Sequence, residues 1–168
     1  IHLITRGFLT LLTITGGKWT TYRKMAEDTV NAAIKTKKLP LKECRTKKLK
    51  IHGYVENPGR EDRMYIYGSD REEIMKMQKE IPAYAEKIGD GADNTVAEVV
   101  WAVRREMART VDDVLARRVR VLYLDARASI ALAPKVASIM AEELGRDKAW
   151  EQQQVKEFTE MAQGYVLQ

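Results

Sequence analysis

The chain has 168 residues, 45% of them hydrophobic and 32% charged, with a formal net charge of +5. That composition is ordinary for a globular chain of one domain, or one domain with an added piece. No apolar run approaches the roughly 20 residues that span a bilayer. The lone cysteine, Cys44, excludes an intrachain disulfide and fits a reducing compartment. With His2 and His52 it makes no metal-ligand spacing, so no metal site is expected.

In chain order, Ile1 opens on a strand pattern, which predicts a piece of a longer polypeptide. Residues 8–15 read as a strand buried on both faces. Gly16 and Gly17 then break the β-branched run, and a helix follows over residues 20–35. Its apolar stripe runs through Tyr22, Met25, Ala26, Thr29, Val30, Ala33 and Ile34. Residues 39–68 form an irregular connector, with a short strand expected at 49–51. Ser69 reads as the N-cap of a helix carrying Glu72 and Glu73 in its first turn, and Pro82 ends that helix near Ile81.

The strongest periodicity comes next. Val96, Val99, Val100, Val103, Met107, Val111, Val114 and Leu115 recur at steps of three and four. Thr110 and Asp113 form a capping-box pattern with Asp in place of Glu, which predicts a break near Arg109. Asp125 or Ala126 opens a helix to Leu144, in which Pro134 is expected to kink or restart the helix. Gly145 stops it, and Asp147 caps a last helix to about Val166. The fold class is therefore mainly α: a helical bundle over residues 69–168, preceded by a strand–turn–helix piece over 1–38 and the connector over 39–68.

Charge is concentrated. Between Lys35 and His52, eight basic residues stand against Glu43 alone, a net +7, so the remainder sums to −2. Such a connector suits an anionic lipid surface or a nucleic acid, against the competing reading of a solvated linker. Missing interleaved aromatics argue against nucleic acid. The arginines at 104, 105, 109, 117, 118 and 120 read as structural partners of nearby acids such as Asp112 and Asp113. Trp101, Met107 and Trp150 read as core.

The chemistry-bearing motif is Gly16-Gly17-Lys18-Trp19-Thr20. A strand delivering its end to a helix N-terminus gathers main-chain N–H groups, glycine admits close approach, and Lys18 adds a charge. An anion or a cofactor phosphate is the matching ligand. A nucleotide-triphosphate loop is excluded, because Leu12 and Trp19 stand where glycine and Ser or Thr are required. No GxGxxG occurs, so the chain holds no dinucleotide on its own.

Two blocks carry a family resemblance. Ile14-Thr15-Gly16-Gly17-Lys18-Trp19-Thr20-Thr21-Tyr22-Arg23-Lys24-Met25-Ala26-Glu27 resembles the segment closing the FAD domain of FAD-dependent glycerol-3-phosphate dehydrogenases, the aerobic and glycerophosphate oxidase family. The run from Glu98 to Arg118, with Val99-Val100-Trp101 and Thr110-Val111-Asp112-Asp113-Val114-Leu115 within it, resembles the helical C-terminal domain of the same enzymes. Leu124-Asp125-Ala126-Arg127-Ala128 continues it. Thr10 departs from the pattern, standing where a glycine is common.

The resemblance implies a flavoenzyme that oxidises sn-glycerol 3-phosphate to dihydroxyacetone phosphate, with hydride transfer to FAD and electrons passed to a quinone or oxygen. It implies FAD contacts from Gly16, Gly17, Lys18, Trp19 and Thr20, and a catalytic role for Lys18 on the substrate side. The remaining FAD-binding residues would lie in an N-terminal FAD domain outside this chain, which alone would be inactive. A cytoplasmic location, peripheral on the inner face of the membrane, goes with it. The alternative is a stand-alone helical module that meets a protein or a membrane surface through the basic connector.

Overall fold

The computed structural model of the chain describes residues 2–5 and 12–167, the first four by backbone alone. The chain is mainly α-helical and divides into two compact units, Ile1–Tyr54 and Val55–Gln168.

In the first unit, strand β1 (His2–Thr5) pairs antiparallel with β2 (Leu12–Thr15), in the register His2 opposite Thr15 and Thr5 opposite Leu12. Positions 8–11 of the expected strand, Thr10 among them, lie outside the described residues. The described part is not buried on both faces: Leu12 and Ile14 are half-buried, while Thr13 and Thr15 are exposed. A two-stranded ribbon has one packed face, here the one toward helix α1 (Tyr22–Lys37), and alternation follows. Lys38, in the left-handed conformation, ends α1, its N–H donating to the carbonyls of Ile34 and Lys35. The predicted strand at 49–51 does not form; these residues stand exposed in irregular backbone with no partner strand. No side chain described in this unit is fully buried, and along the α1 stripe Tyr22, Ala26 and Val30 are exposed.

The second unit has a real core. A 3-10 segment (Arg63–Asp70) leads into α2 (Arg71–Glu80), a short 3-10 turn follows at Pro82–Ala85, and α3 (Val96–Arg105) begins after a loop. A π-helical stretch (Asp113–Arg118) and the single turn α4 (Val121–Leu124) connect to α5 (Ala126–Leu144) and α6 (Lys148–Gln163). Helix α5 packs against α3, α4 and α6. Val99, Val103, Val111, Val114, Leu115, Leu132, Val136, Met140 and Phe158 fill the space between them. Met64, Ile74, Ala97 and Trp101 form a second cluster under the 3-10 segment.

Several local expectations hold. Asp125 accepts from Ala128 N–H at 2.9 Å, and Asp147 from Trp150 N–H at 2.9 Å, each capping its helix. Gly145 takes the left-handed conformation that ends α5 (φ 62°). The Thr110–Asp113 box forms, with Asp113 accepting from the N–H groups of Arg109 and Thr110 and returning its own N–H to Thr110 Oγ1.

Others are corrected. Ser69 stands at the expected helix start but not as a side-chain cap: the backbone breaks at Gly68 (φ 54°), Ser69 and Asp70 form the short lead into α2 at Arg71, and the Ser69 hydroxyl bonds Asp70 rather than a first-turn N–H. Pro134 does not start a second segment, since α5 is one helix. Helix α6 ends at Gln163, short of Val166. Met107 is not core: α3 stops at Arg105, and Met107 sits 77% exposed with φ 57°. Two arginines close that helix end. Arg109 donates to the carbonyls of Val103 (3.1 Å) and Ala108 (2.8 Å), and Arg118 donates to that of Glu106. Arg109 is thus a cap on carbonyls and not a partner of Asp112. Arg104 and Arg117 do pair with acids, Glu143 and Asp112, each at 2.6 Å.

Glu98 ties the unit together. It closes a capping box with Thr95, and its carboxylate also accepts two bonds from Arg63 (both 2.6 Å), one from Tyr67 hydroxyl (2.8 Å) and one from Asn94 (2.9 Å). Burial acts to raise this carboxyl, but Arg63, the Thr95 N–H and Tyr67 outweigh it and hold Glu98 below the usual carboxylate range. Burial, then the charge of Glu98, push the Tyr67 hydroxyl well up, so it stays a donor. Glu98→Gln is expected to cost about 2 kcal/mol in urea unfolding, the scale of hydrogen bonds to a charged group. Because the folded carboxyl lies below its unfolded value of about 4.3, its contribution is present above that pH and fades as pH falls through the folded value. The variant should lack that part of the acid-induced loss; an unchanged acid limb would contradict the assignment.

Candidate cofactor-binding turn

Between β2 and α1 the backbone turns through Gly16 (φ 84°) and Gly17 (φ 90°), both in the region that L side chains avoid. At Gly17 the demand is double. A Cβ there would lie 2.2 Å from the Met25 sulfur and 3.0 Å from Thr21 Oγ1. At Gly16 the same position faces open space, with no atom within 4 Å. The turn therefore has a filled side against α1 and a bare main-chain side open to a ligand.

Lys18 follows in extended conformation, and a 3-10 turn (Trp19–Thr21) leads into α1. The Thr21 side chain locks the corner: Lys18 N–H donates to Thr21 Oγ1 at 2.9 Å, while the Thr21 hydroxyl and N–H both donate to the Lys18 carbonyl, at 3.0 and 2.9 Å. Trp19 and Thr20 occupy the first turn, whose N–H groups a helix cannot satisfy internally. Both side chains are exposed, Trp19 at 86%, with its ring centroid 5.4 Å from that of Tyr22.

All five residues singled out from the sequence, Gly16, Gly17, Lys18, Trp19 and Thr20, thus lie together on one exposed corner. Among the described residues Lys18 has no acidic partner, whereas the next cations are engaged: Arg23 with Glu27 at 2.6 Å and Lys24 with Asp28 at 2.7 Å. The Arg23 bond holds the Glu27 carboxyl below its usual range. Thr21 and Met25 were not among the sequence candidates, although they shape the corner. Their signal is the spacing from Lys18 through Thr21 to Met25, three and then four residues along one helix face. Chemically the corner offers the N–H groups of a first helical turn and one cation without an acidic partner among the described residues, a combination suited to an anionic or hydrogen-bond-accepting edge.

Among the described residues, then, a strand–turn–helix unit with no fully buried side chain is followed in the chain by a helical unit with a core. Residues 12–153 match the family model described as the C-terminal domain of alpha-glycerophosphate oxidase, and the chain belongs to that family. It is 34% identical to the mitochondrial glycerol-3-phosphate dehydrogenase SDP6 of Arabidopsis thaliana, over 89% of this chain and 29% of that protein. Against the mitochondrial glycerol-3-phosphate dehydrogenase of Schizosaccharomyces pombe the identity is 35%, over 88% of this chain and 29% of the relative. Against that of Homo sapiens it is 33%, over 87% and 23%. The chain thus spans less than a third of the length of these curated relatives. No solved structure matches it.

Proposed function

We propose that this chain is the carboxy-terminal part of an FAD-dependent glycerol-3-phosphate dehydrogenase that oxidises sn-glycerol 3-phosphate to dihydroxyacetone phosphate and passes electrons to a quinone or oxygen. The observation that carries the reading is Lys18, without an acidic partner among the described residues, on a double-glycine, positive-φ corner. The corner is compatible with such a cofactor: the side of Gly16 is open, and Gly16, Gly17, Trp19 and Thr20 would hold FAD through main-chain contacts and first-turn N–H donors. When bound, FAD supplies a two-electron acceptor for the hydride leaving the substrate carbon.

The chain's own residues hold and polarise. Gly16 and Gly17 let the main chain approach, Thr20 adds a hydroxyl, and Trp19 walls the corner. Lys18 sets a positive charge where the substrate or the reduced ring carries negative charge, which favours the transition state electrostatically. The coreless first unit supports a division of labour in which residues 1–38 complete an FAD domain supplied by polypeptide outside this chain. Residues 39–68 then connect it to the helical domain at 69–168. The chain alone is proposed to be inactive. In a longer polypeptide that contains this chain, Lys18→Met is expected to lower kcat/KM for glycerol 3-phosphate by roughly 10²-fold with the yellow flavin absorbance retained. Unaltered kcat/KM would remove Lys18 from the reaction.

A second reading concerns location, with the enzyme cytoplasmic and peripheral on the inner face of the membrane. No helix among the described residues is long and apolar enough to cross a membrane. In the connector, however, Leu39, Leu41, Leu49 and Ile51 stand exposed among exposed lysines, the mixture that suits an anionic bilayer surface. The chain is expected to co-sediment with phosphatidylglycerol-containing vesicles at low salt and to be released at moderate salt. Equal binding to purely phosphatidylcholine vesicles would contradict this.

A further inference from the structure

We propose that a cleft in the helical unit, between the π-helical stretch, α4 and α6, binds a primary ammonium group on an apolar stem, as carried by a lysine side chain or an alkylamine. The cleft measures about 490 Å³. Leu122 and Phe158 form its buried floor, and Met161 lines it beside them.

Two tyrosines make its mouth. The rings of Tyr123 and Tyr165 lie 5.7 Å apart at 72°, and both side chains are about half exposed. The two rings pack edge to face on each other and stay half exposed, so they leave aromatic surface at the cleft over which an organic cation can sit.

The electrostatics point the same way. Arg117, the cleft's one cation, is already occupied: it donates to Asp112 through Nε (3.1 Å) and Nη2 (2.6 Å), and lies 3.5 Å from Asp113. Glu157 has no cationic partner among the described residues. Its two oxygens accept from neutral amides instead, Gln153 at 2.8 Å and Gln154 at 3.1 Å. Gln154 is itself anchored, accepting from Val111 N–H at 3.1 Å, so the carboxylate of Glu157 is held in place while its charge stays uncompensated. An anion would meet a neutralised arginine and a carboxylate with no cation on it; a cation meets a fixed negative charge beside two half-exposed aromatic rings.

This net-negative cleft sits on a chain of net charge +5, so overall charge does not account for it. Its α6 wall lies beyond residue 153, where the family match ends, and it draws on none of the residues assigned to the flavin corner.

The test is titration of methyl-labelled chain by NMR with hexylammonium, hexanol and hexanoate, read at the Met161 methyl. Saturable shifts are expected with hexylammonium and not with the other two. Glu157→Gln and Tyr165→Ala should each weaken binding about fivefold, the factor that one exposed cation–π or ion-pair contact provides. The Met140 methyl, in the core, should be unchanged as the check on folding. A blocked lysine peptide that competes for the site identifies a partner side chain as the source, and failure to compete identifies a free amine. Equal shifts with hexanol, or undiminished hexylammonium binding in Glu157→Gln, would overturn the proposal.

Discussion

One buried carboxylate organises the helical unit. Glu98 lies in the first turn of α3, 1% exposed, on a helix that is otherwise apolar there. A charge in that position is tolerable only when fully hydrogen-bonded, and four neighbours meet the need: Arg63, Tyr67, Asn94 and Thr95. The consequence is topological. The segment before α2 is drawn onto α3, Met64 is carried into the cluster with Ile74 and Trp101, and the loop before α3 is closed by the same group.

The first unit has no counterpart to this. Its strands, turn and helix are well formed, yet none of its described side chains is fully buried. Stability in a unit of that size comes chiefly from apolar burial, and here the apolar face of α1 is left half covered. What the unit does hold firmly is its corner. Thr21 bonds in three ways to Lys18, and the Met25 sulfur occupies the room that a side chain at Gly17 would take.

Local chemistry made much of this legible from sequence. Asp147 read as a cap, Asp125 or Ala126 as a helix start, Gly145 as a stop and Pro82 as a terminator, because each acts within a few residues. The valine stripe located α3 and the π-helical stretch, and the two glycines located the corner. Longer-range effects were hidden. Met107 falls on the apolar period, but Arg109 and Arg118 close the helix before it, so periodicity ran across a break. Ser69 reads as a cap and does lie just after the break at Gly68, but its hydroxyl bonds Asp70, while Arg63 and Tyr67 ahead of it are bound to Glu98 from 35 and 31 residues away. The strand expected at 49–51 had suitable residues and no partner to pair with.

Two separate chemistries are proposed for the chain, an anionic or electron-rich edge at the corner of residues 16–20 and a cation at the cleft of Tyr123 and Tyr165. The first carries the central claim. Hydrogen–deuterium exchange of the longer polypeptide, with and without bound FAD, tests it most directly. The account predicts slowed exchange at the amides of residues 16–20 when flavin is bound, with the amides around Glu98 unchanged. Flavin binding that leaves the exchange of residues 16–20 untouched would contradict it.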